Sequence, residues 1–433
     1  MDNLAIGIIM VVVLVVLLIM KFPIGFAFLL IGFCGYAILR GWDSSFGLLP
    51  TKVFGGTASY LLTVVPLFVL MGEIAFVSGI GEGLYKAARA LLGRFRGGLL
   101  MATTIANAAF GAACGMPEAA TAVFSKVAMP EMLGAGINRS FAAGSIVGSA
   151  GLSALIPPSV LAIVYGFLAT APIHKCLIAG ILPGFLTVAV YVVMINIRVR
   201  RNPELAPPLA AVSWGERLSA FRGVGGMLAV VLLSIIGIIV GLFTPTEGGA
   251  VGAAGVLIIA VATKKITRKG FSKALTSSGK TTSILFIMVG GLAFFSAFLA
   301  GSGISAAMTN IFIGLPVSPT LIVILTLFIF LGLGCIIGPF PLMYLTIPLM
   351  APIMKALGVD LIWYGVLAVK MATMGMITPP LGINCYMLRL VLPEFSIQEI
   401  FKGAGWFLMA DVVIVVMLVA FPRISLALPS LMR

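Results

Sequence analysis

The chain has 433 residues, of which 61% are hydrophobic and 9% charged, and its mean hydropathy is +1.22. A soluble domain carries about a quarter charged residues, so this composition excludes a soluble globular protein and puts most of the chain in a bilayer. The net charge of +14, from 27 basic and 13 acidic residues, is not a nucleic-acid footprint, because the basic residues gather in short loops as the positive-inside rule expects.

Apolar stretches recur from residue 4 to residue 422, enough for about a dozen spans or partial spans of ~20 residues. The first, LAIGIIMVVVLVVLLIM, has no basic segment before it and no small-residue cleavage site after it, and reads as a retained span. Residues 1–80 are expected to form N-terminal scaffold spans. Residues 81–197 form a first unit that opens on Lys86, Arg89, Arg94 and Arg96, placed in the cytoplasm. Its apolar segment 98–136 is interrupted near the centre by NAAFGAACGMPEAATA, which suits a re-entrant helical hairpin. A kinked span packed through Gly111 and Gly115 is the plainer alternative.

The next break is SALIPPSV, where Pro157 and Pro158 remove two backbone donors and disfavour helix at Ile156. Lipid offers no replacement hydrogen bonds, so such a break must be packed in protein or line a cavity. His174, in TAPIHKC, reads as a loop residue without a role. Residues 198–280 hold two more cytoplasmic basic clusters, Arg198, Arg200 and Arg201 and then Lys264 to Lys280, around two short spans joined by FTPTEGG. Residues 281–392 form a second unit, with a hairpin at GLGCIIGPFPLMYLTIP and a break at Pro379 and Pro380. Residues 393–433 are a C-terminal span.

The two units repeat. At an offset of 222 residues and without a gap, Pro117, Pro130, Gly136, Pro157 and Pro158 fall on Pro339, Pro352, Gly358, Pro379 and Pro380. Weak internal similarity of this kind marks transporter architecture. The first hairpin follows a basic loop, whereas residues 281–354 contain no charged residue, so equivalent loops lie on opposite sides and the repeat is inverted.

A broken helix exposes N–H groups at one end and C=O groups at the other. The first attract anionic substrate groups, and the second, with hydroxyls nearby, can coordinate Na⁺. The candidate Na⁺ ligands are Asn107, Ser149, Ser153, Ser159 and the Pro157 carbonyl at the first break, and Thr373, Thr378, Asn384 and the Pro379 carbonyl at the second. Each hydroxyl can instead bond back to its own helix. An ionisable residue inside a span is a functional suspect. Lys370, whose repeat counterpart is Gly148, can pair with an anionic substrate, pair with an acid elsewhere, or snorkel. Glu73, Glu118, Glu247 and Asp411 read as structural pairs or loop groups. The cysteines (Cys34, Cys114, Cys176, Cys335, Cys385) are scattered without CxxC spacing and read as packed thiols.

PLFVLMGEIAFVSGI, IPPSVLAIVYG, GLFTPTEGGAVGA and MGMITPPLGIN, in that order, resemble the large membrane subunit of TRAP (tripartite ATP-independent periplasmic) transporters over nearly the whole chain. The resemblance implies an all-α polytopic elevator-type transporter of the bacterial inner membrane, with two re-entrant hairpins and a Na⁺ gradient as driver. It also implies two partners, a small four-helix membrane subunit and a periplasmic substrate-binding protein, and an organic acid as substrate. Hairpin tips face the substrate in this family, which points to Cys114, Gly115, Met116, Gly338 and Pro339. Members commonly carry a Ser-Gly-Ser-like run at the first tip and an acid in the second, where this chain has CGMPEAA and IIGPFP, so a bulkier or less polar organic anion is expected. A self-sufficient anion transporter is the alternative. A membrane-embedded enzyme would need a polar cluster that one histidine and thirteen scattered acids do not offer.

Overall fold

The structure, a computed structural model, describes residues 2–208 and 214–432, and it is helical almost throughout. In the first half, α1 (Asn3–Ile19), α2 (Ile24–Arg40), α3 (Trp42–Thr57), α4 (Val64–Val77) and α5 (Ile80–Leu92) precede a hairpin of α6 (Gly98–Cys114) and α7 (Pro117–Gly134). Then α8 (Arg139–Ala150) and the short α9 (Leu152–Leu155) run up to the first double proline, and α10 (Val160–Leu168) leaves it. The half closes with α11 (Ile173–Ala179) and α12 (Ile181–Arg201).

The second half has α13 (Trp214–Ile239), α14 (Pro245–Ala262), α15 (Arg268–Ser302) and α16 (Ile304–Ile313), then a hairpin of α17 (Pro319–Gly334) and α18 (Pro339–Ala356). After it, α19 (Leu361–Gly375) meets the second double proline, followed by α20 (Ile383–Val391), α21 (Ile397–Ala420) and α22 (Arg423–Ser430). Among the described residues, five helical stretches are long and apolar enough to cross a membrane: Tyr60–Val77, Ile173–Arg201, Pro245–Ala262, Arg268–Ser302 and Ile397–Ala420.

The 222-residue offset holds element by element. Both ends of α7 fall on both ends of α18, and each helix starts on a proline, whose missing N–H would have been unpaired in the first turn anyway. Gly136 and Gly358, at φ 73° and 70°, end these helices in the left-handed region. The next helices are capped alike: Asn138 accepts from the Phe141 N–H at 3.1 Å, and Asp360 from the Ile362 N–H at 2.7 Å. The correspondence also reaches past the hairpin units, since α14 falls on α2 and the single helix α15 covers the stretch of α3 and α4. Residues 198–280, read from sequence as a cytoplasmic loop and a helix pair, thus hold the counterparts of α2 and α3.

The halves interlock. Helix α2 lies along α15 and α14 along α4, so each entry helix packs on the opposite half. A Cβ added at Gly32 would sit 2.8 Å from the Phe295 backbone, the close approach that small residues allow between helices in lipid. Likewise α10 packs on α18 and α20 on α7, so the helix leaving each break rests on the other half's hairpin.

Candidate functional site

Both double prolines interrupt their helices, and both Pro–Pro bonds are cis. The first break, residues 156–159, bends the path by 46°. Pro157 and Pro158 cannot donate to Ser153 and Ala154 as the next helical residues would, and the Ser159 hydroxyl takes over by donating to the Ala154 carbonyl. The same oxygen accepts from the Ala162 N–H at 3.0 Å and caps α10. The first hairpin presses on this break. A Cβ at Gly111 would stand 2.6 Å from Ser153 Cα, and one at Gly115 2.5 Å from the Pro158 carbonyl oxygen.

Asn107, fully buried on α6, donates from Nδ2 to Ser149 Oγ at 2.7 Å. Ser149 in turn donates to the Ser145 carbonyl, and Ser153 to the Ala150 carbonyl at 2.5 Å. The serines therefore commit their protons to their own helix, as back-bonding predicts, and keep lone pairs for a further partner. Asn107 Oδ1 is buried without any hydrogen-bond partner.

The second break, residues 376–382, is built the same way. A Cβ at Gly375 would lie 2.6 Å from the Gly334 backbone, and the Leu381 N–H donates to the Cys335 carbonyl at 3.3 Å, so the second hairpin also rests on its own break. Thr373 donates to the Lys370 carbonyl at 2.8 Å and Thr378 to the Met374 carbonyl at 2.7 Å. The two breaks then meet. Asn384 reaches from α20 into the first half and donates to the Val147 carbonyl at 3.3 Å, while a Cβ at Gly151 would lie 3.2 Å from Thr373 Cβ. Asn384 Oδ1 is also buried without a partner. A buried amide oxygen left unsatisfied costs about 1–3 kcal/mol, and both asparagines leave theirs so.

Residues 11–424 match the family model described as the DctM component of the tripartite ATP-independent periplasmic transporters. The chain belongs to this family of TRAP transporter large permeases. It is 30% identical over 385 residues to the C4-dicarboxylate large permease DctM of Pseudomonas aeruginosa, covering 88% of this chain and 89% of that one. It is 26% identical to the sialic acid large permease SiaM of Vibrio cholerae (94% and 95% covered) and 28% identical to the ectoine/5-hydroxyectoine large permease UehC of Ruegeria pomeroyi (96% and 97%). Among solved structures, the YdaH transporter of Alcanivorax borkumensis shares the fold at TM-score 0.61 and 15% identity, over 88% of this chain and 89% of that one. MtrF of Neisseria gonorrhoeae also does so at 0.61 and 12%, over 87% and 84%.

In this DctM-family permease the expected substrate-side residues lie in two places. Cys114 and Gly115 are buried and Met116 half-buried at the first tip; Pro339 is buried and Gly338 half-buried at the second. Lys370 is elsewhere. Its ammonium meets Asp411 Oδ1 at 2.5 Å, both groups buried, and Tyr191 donates to the same oxygen at 2.6 Å. Of the roles open to it from sequence, the structure puts Lys370 in the pair with an acid. Removing either partner would leave a buried charge uncompensated.

The other polar residues fall into structural places. Glu247 closes a capping box with Thr244, and Glu73 accepts from Ser277 at 2.6 Å. Glu118 stands in the first turn of α7, where a carboxylate complements the helix dipole. His174 is not in a loop but in the first turn of α11. Tyr191 and the Val147 carbonyl are not among the candidates that sequence supplies. One is an aromatic in an apolar helix and the other a backbone group, and neither leaves a mark in sequence.

Proposed function

We propose that this permease couples the entry of Na⁺ to the uptake of an organic anion, a carboxylate or sulfonate, across the inner membrane. It would work with a small four-helix membrane subunit and a periplasmic substrate-binding protein. The observation that supports the coupling ion is the pair of buried oxygens without donors, Asn107 Oδ1 and Asn384 Oδ1, on side chains that reach Ser149 and Val147 of α8. Hard amide, hydroxyl and carbonyl oxygens suit a weakly held alkali cation. The ligand set would be Asn107, Ser149, Ser153, Ser159 and the Pro157 carbonyl in one half, and Thr373, Thr378, Asn384 and the Pro379 carbonyl in the other. Of Glu73, Glu118, Glu247 and Asp411, only Asp411 is buried, and it is held by a lysine and a tyrosine, which speaks against a proton relay there.

The relatives named for C4-dicarboxylate, sialic acid and ectoine bound the substrate class only broadly. At the tips the first three positions of α18 are Pro339, Phe340 and Pro341, so two of its first three N–H groups are missing. Helix-end binding of an anion is weakened there, which fits a less polar organic anion held through Met116 and Phe340 as well as backbone groups. The halves would face opposite sides of the membrane, and the hairpins with their breaks would move as an elevator against the interlocked outer helices. In proteoliposomes with both partners, uptake should follow an inward Na⁺ gradient. Equal uptake under a proton gradient in Na⁺-free buffer would sink the coupling. Brisk uptake of free substrate by the isolated chain would favour a self-sufficient transporter.

A further inference from the structure

Helices α12 and α21 border a groove of about 550 Å³ that the transport reading does not use. Its α12 wall runs from Val190 through Met194 to Arg198 and Arg201, and its α21 wall from Trp406 through Met409 to Val413. From Val190 to Arg201 a helix rises about 16 Å, close to half of the roughly 30 Å hydrocarbon core and so the depth of one leaflet. The apolar part opens outward, with Val193 and Val413 each more than half exposed.

The other end is cationic and shaped for an anion. The Arg198 guanidinium carbon lies 3.4 Å from the ring centre of Trp406 and 5.3 Å from that of Phe141. Stacked by its face, a guanidinium keeps its edge N–H groups for a planar or tetrahedral oxyanion. Its Nε is buried and has no hydrogen-bond partner, and no carboxylate pairs with Arg198 or Arg201 among the described residues. Lys402 is exposed on α21 one turn before Trp406, and Glu204 is the one acid in the turn that follows α12. Tryptophan marks the membrane interface, and basic pockets between helices on the cytoplasmic side collect anionic headgroups.

We infer that the α12–α21 groove binds one anionic phospholipid of the cytoplasmic leaflet. Its phosphate lies on Arg198 and Arg201, and an acyl chain lies along Met194, Met409 and Val413. A second groove, of about 660 Å³ between α17 and α21, has no charged residue in its lining and serves as the internal control. The lipid site backs onto the buried pair: Tyr191 adjoins Val190 on one wall and Asp411 adjoins Ala410 on the other, so an occupant would brace the two helices that hold Lys370.

The test is native mass spectrometry of the delipidated full chain titrated with phosphatidylglycerol or phosphatidylcholine. One phosphatidylglycerol should be retained in preference to phosphatidylcholine. Its affinity should fall at least about tenfold in Arg198→Gln/Arg201→Gln, while Arg94→Gln/Arg96→Gln, with the same charge loss in another loop, should keep it. Arg201→Gln alone, at the exposed helix end, should show a smaller loss and gives the answer if the double variant does not fold. Equal retention of both lipids, or unchanged retention in the Arg201 variant, overturns the proposal. So does loss of the lipid in the complex with the small membrane subunit, which would assign the groove to a protein helix.

Discussion

The two broken-helix regions are the same element written twice, yet one is enclosed and the other open. At the first, Pro157, Pro158 and Ser159 are buried, and α4 crosses the hairpin tip so closely that a Cβ at Gly72 would lie 2.6 Å from the Cys114 carbonyl. At the second, Pro379, Pro380 and Leu381 are exposed, and Ile336 at the tip is 48% exposed. Nothing in the local sequence of the two breaks demands that difference. It comes from what covers each one. The halves also differ in charge, because Gly148 lets Phe407 pack where the equivalent residue, Lys370, enters an ion pair.

The largest expected effect comes from breaking that charge asymmetry. Lys370→Met leaves Asp411 buried without its cation and should destabilise the protein by about 3–5 kcal/mol. Adding Asp411→Leu should recover most of the loss, read as thermal unfolding in detergent; a double variant no better than the single would show that the carboxylate has another duty. A smaller effect should separate the tips. Gly115 has φ 66° and no room for a Cβ, whereas Gly338 has φ −66° and its nearest neighbour would be Ile383 Cδ1 at 3.4 Å. Gly115→Ala should therefore cost about 1–3 kcal/mol and Gly338→Ala close to nothing, measured in the same way. The mildest probe sharpens the exposure contrast without large energetic cost. On a cysteine-free background, Leu381→Cys should react with a membrane-impermeant thiol reagent and its counterpart Ser159→Cys should resist it. Equal labelling of both would remove the asymmetry.

Much of this is legible in the sequence because proline and glycine act locally. Pro157, Pro158, Pro379 and Pro380 break a helix wherever they stand, and their shared offset is enough to reveal the repeat. The Na⁺ candidates are visible because short polar side chains stand out in an apolar chain. What the sequence hides is what depends on pairing across helices. The clasp of Tyr191, Lys370 and Asp411 joins three helices, and no spacing rule connects positions so far apart. The kinship of α14 with α2 is hidden too, because one apolar helix resembles another when no proline pair fixes the register. The enclosure of one break and openness of the other follow from packing alone.

If the oxygens near the two breaks bind Na⁺, titrating the purified chain with Na⁺ reveals it most directly. A ligand that binds only the folded state raises stability by mass action, so the unfolding temperature should rise with NaCl and not with KCl at equal ionic strength. Asn107→Ala and Asn384→Ala should each shift the half-saturating Na⁺ concentration upward by about tenfold, the loss of roughly one charge-assisted ligand. The double variant should lose the Na⁺-specific response. Titration curves in both single variants that overlay the unsubstituted protein would contradict the account.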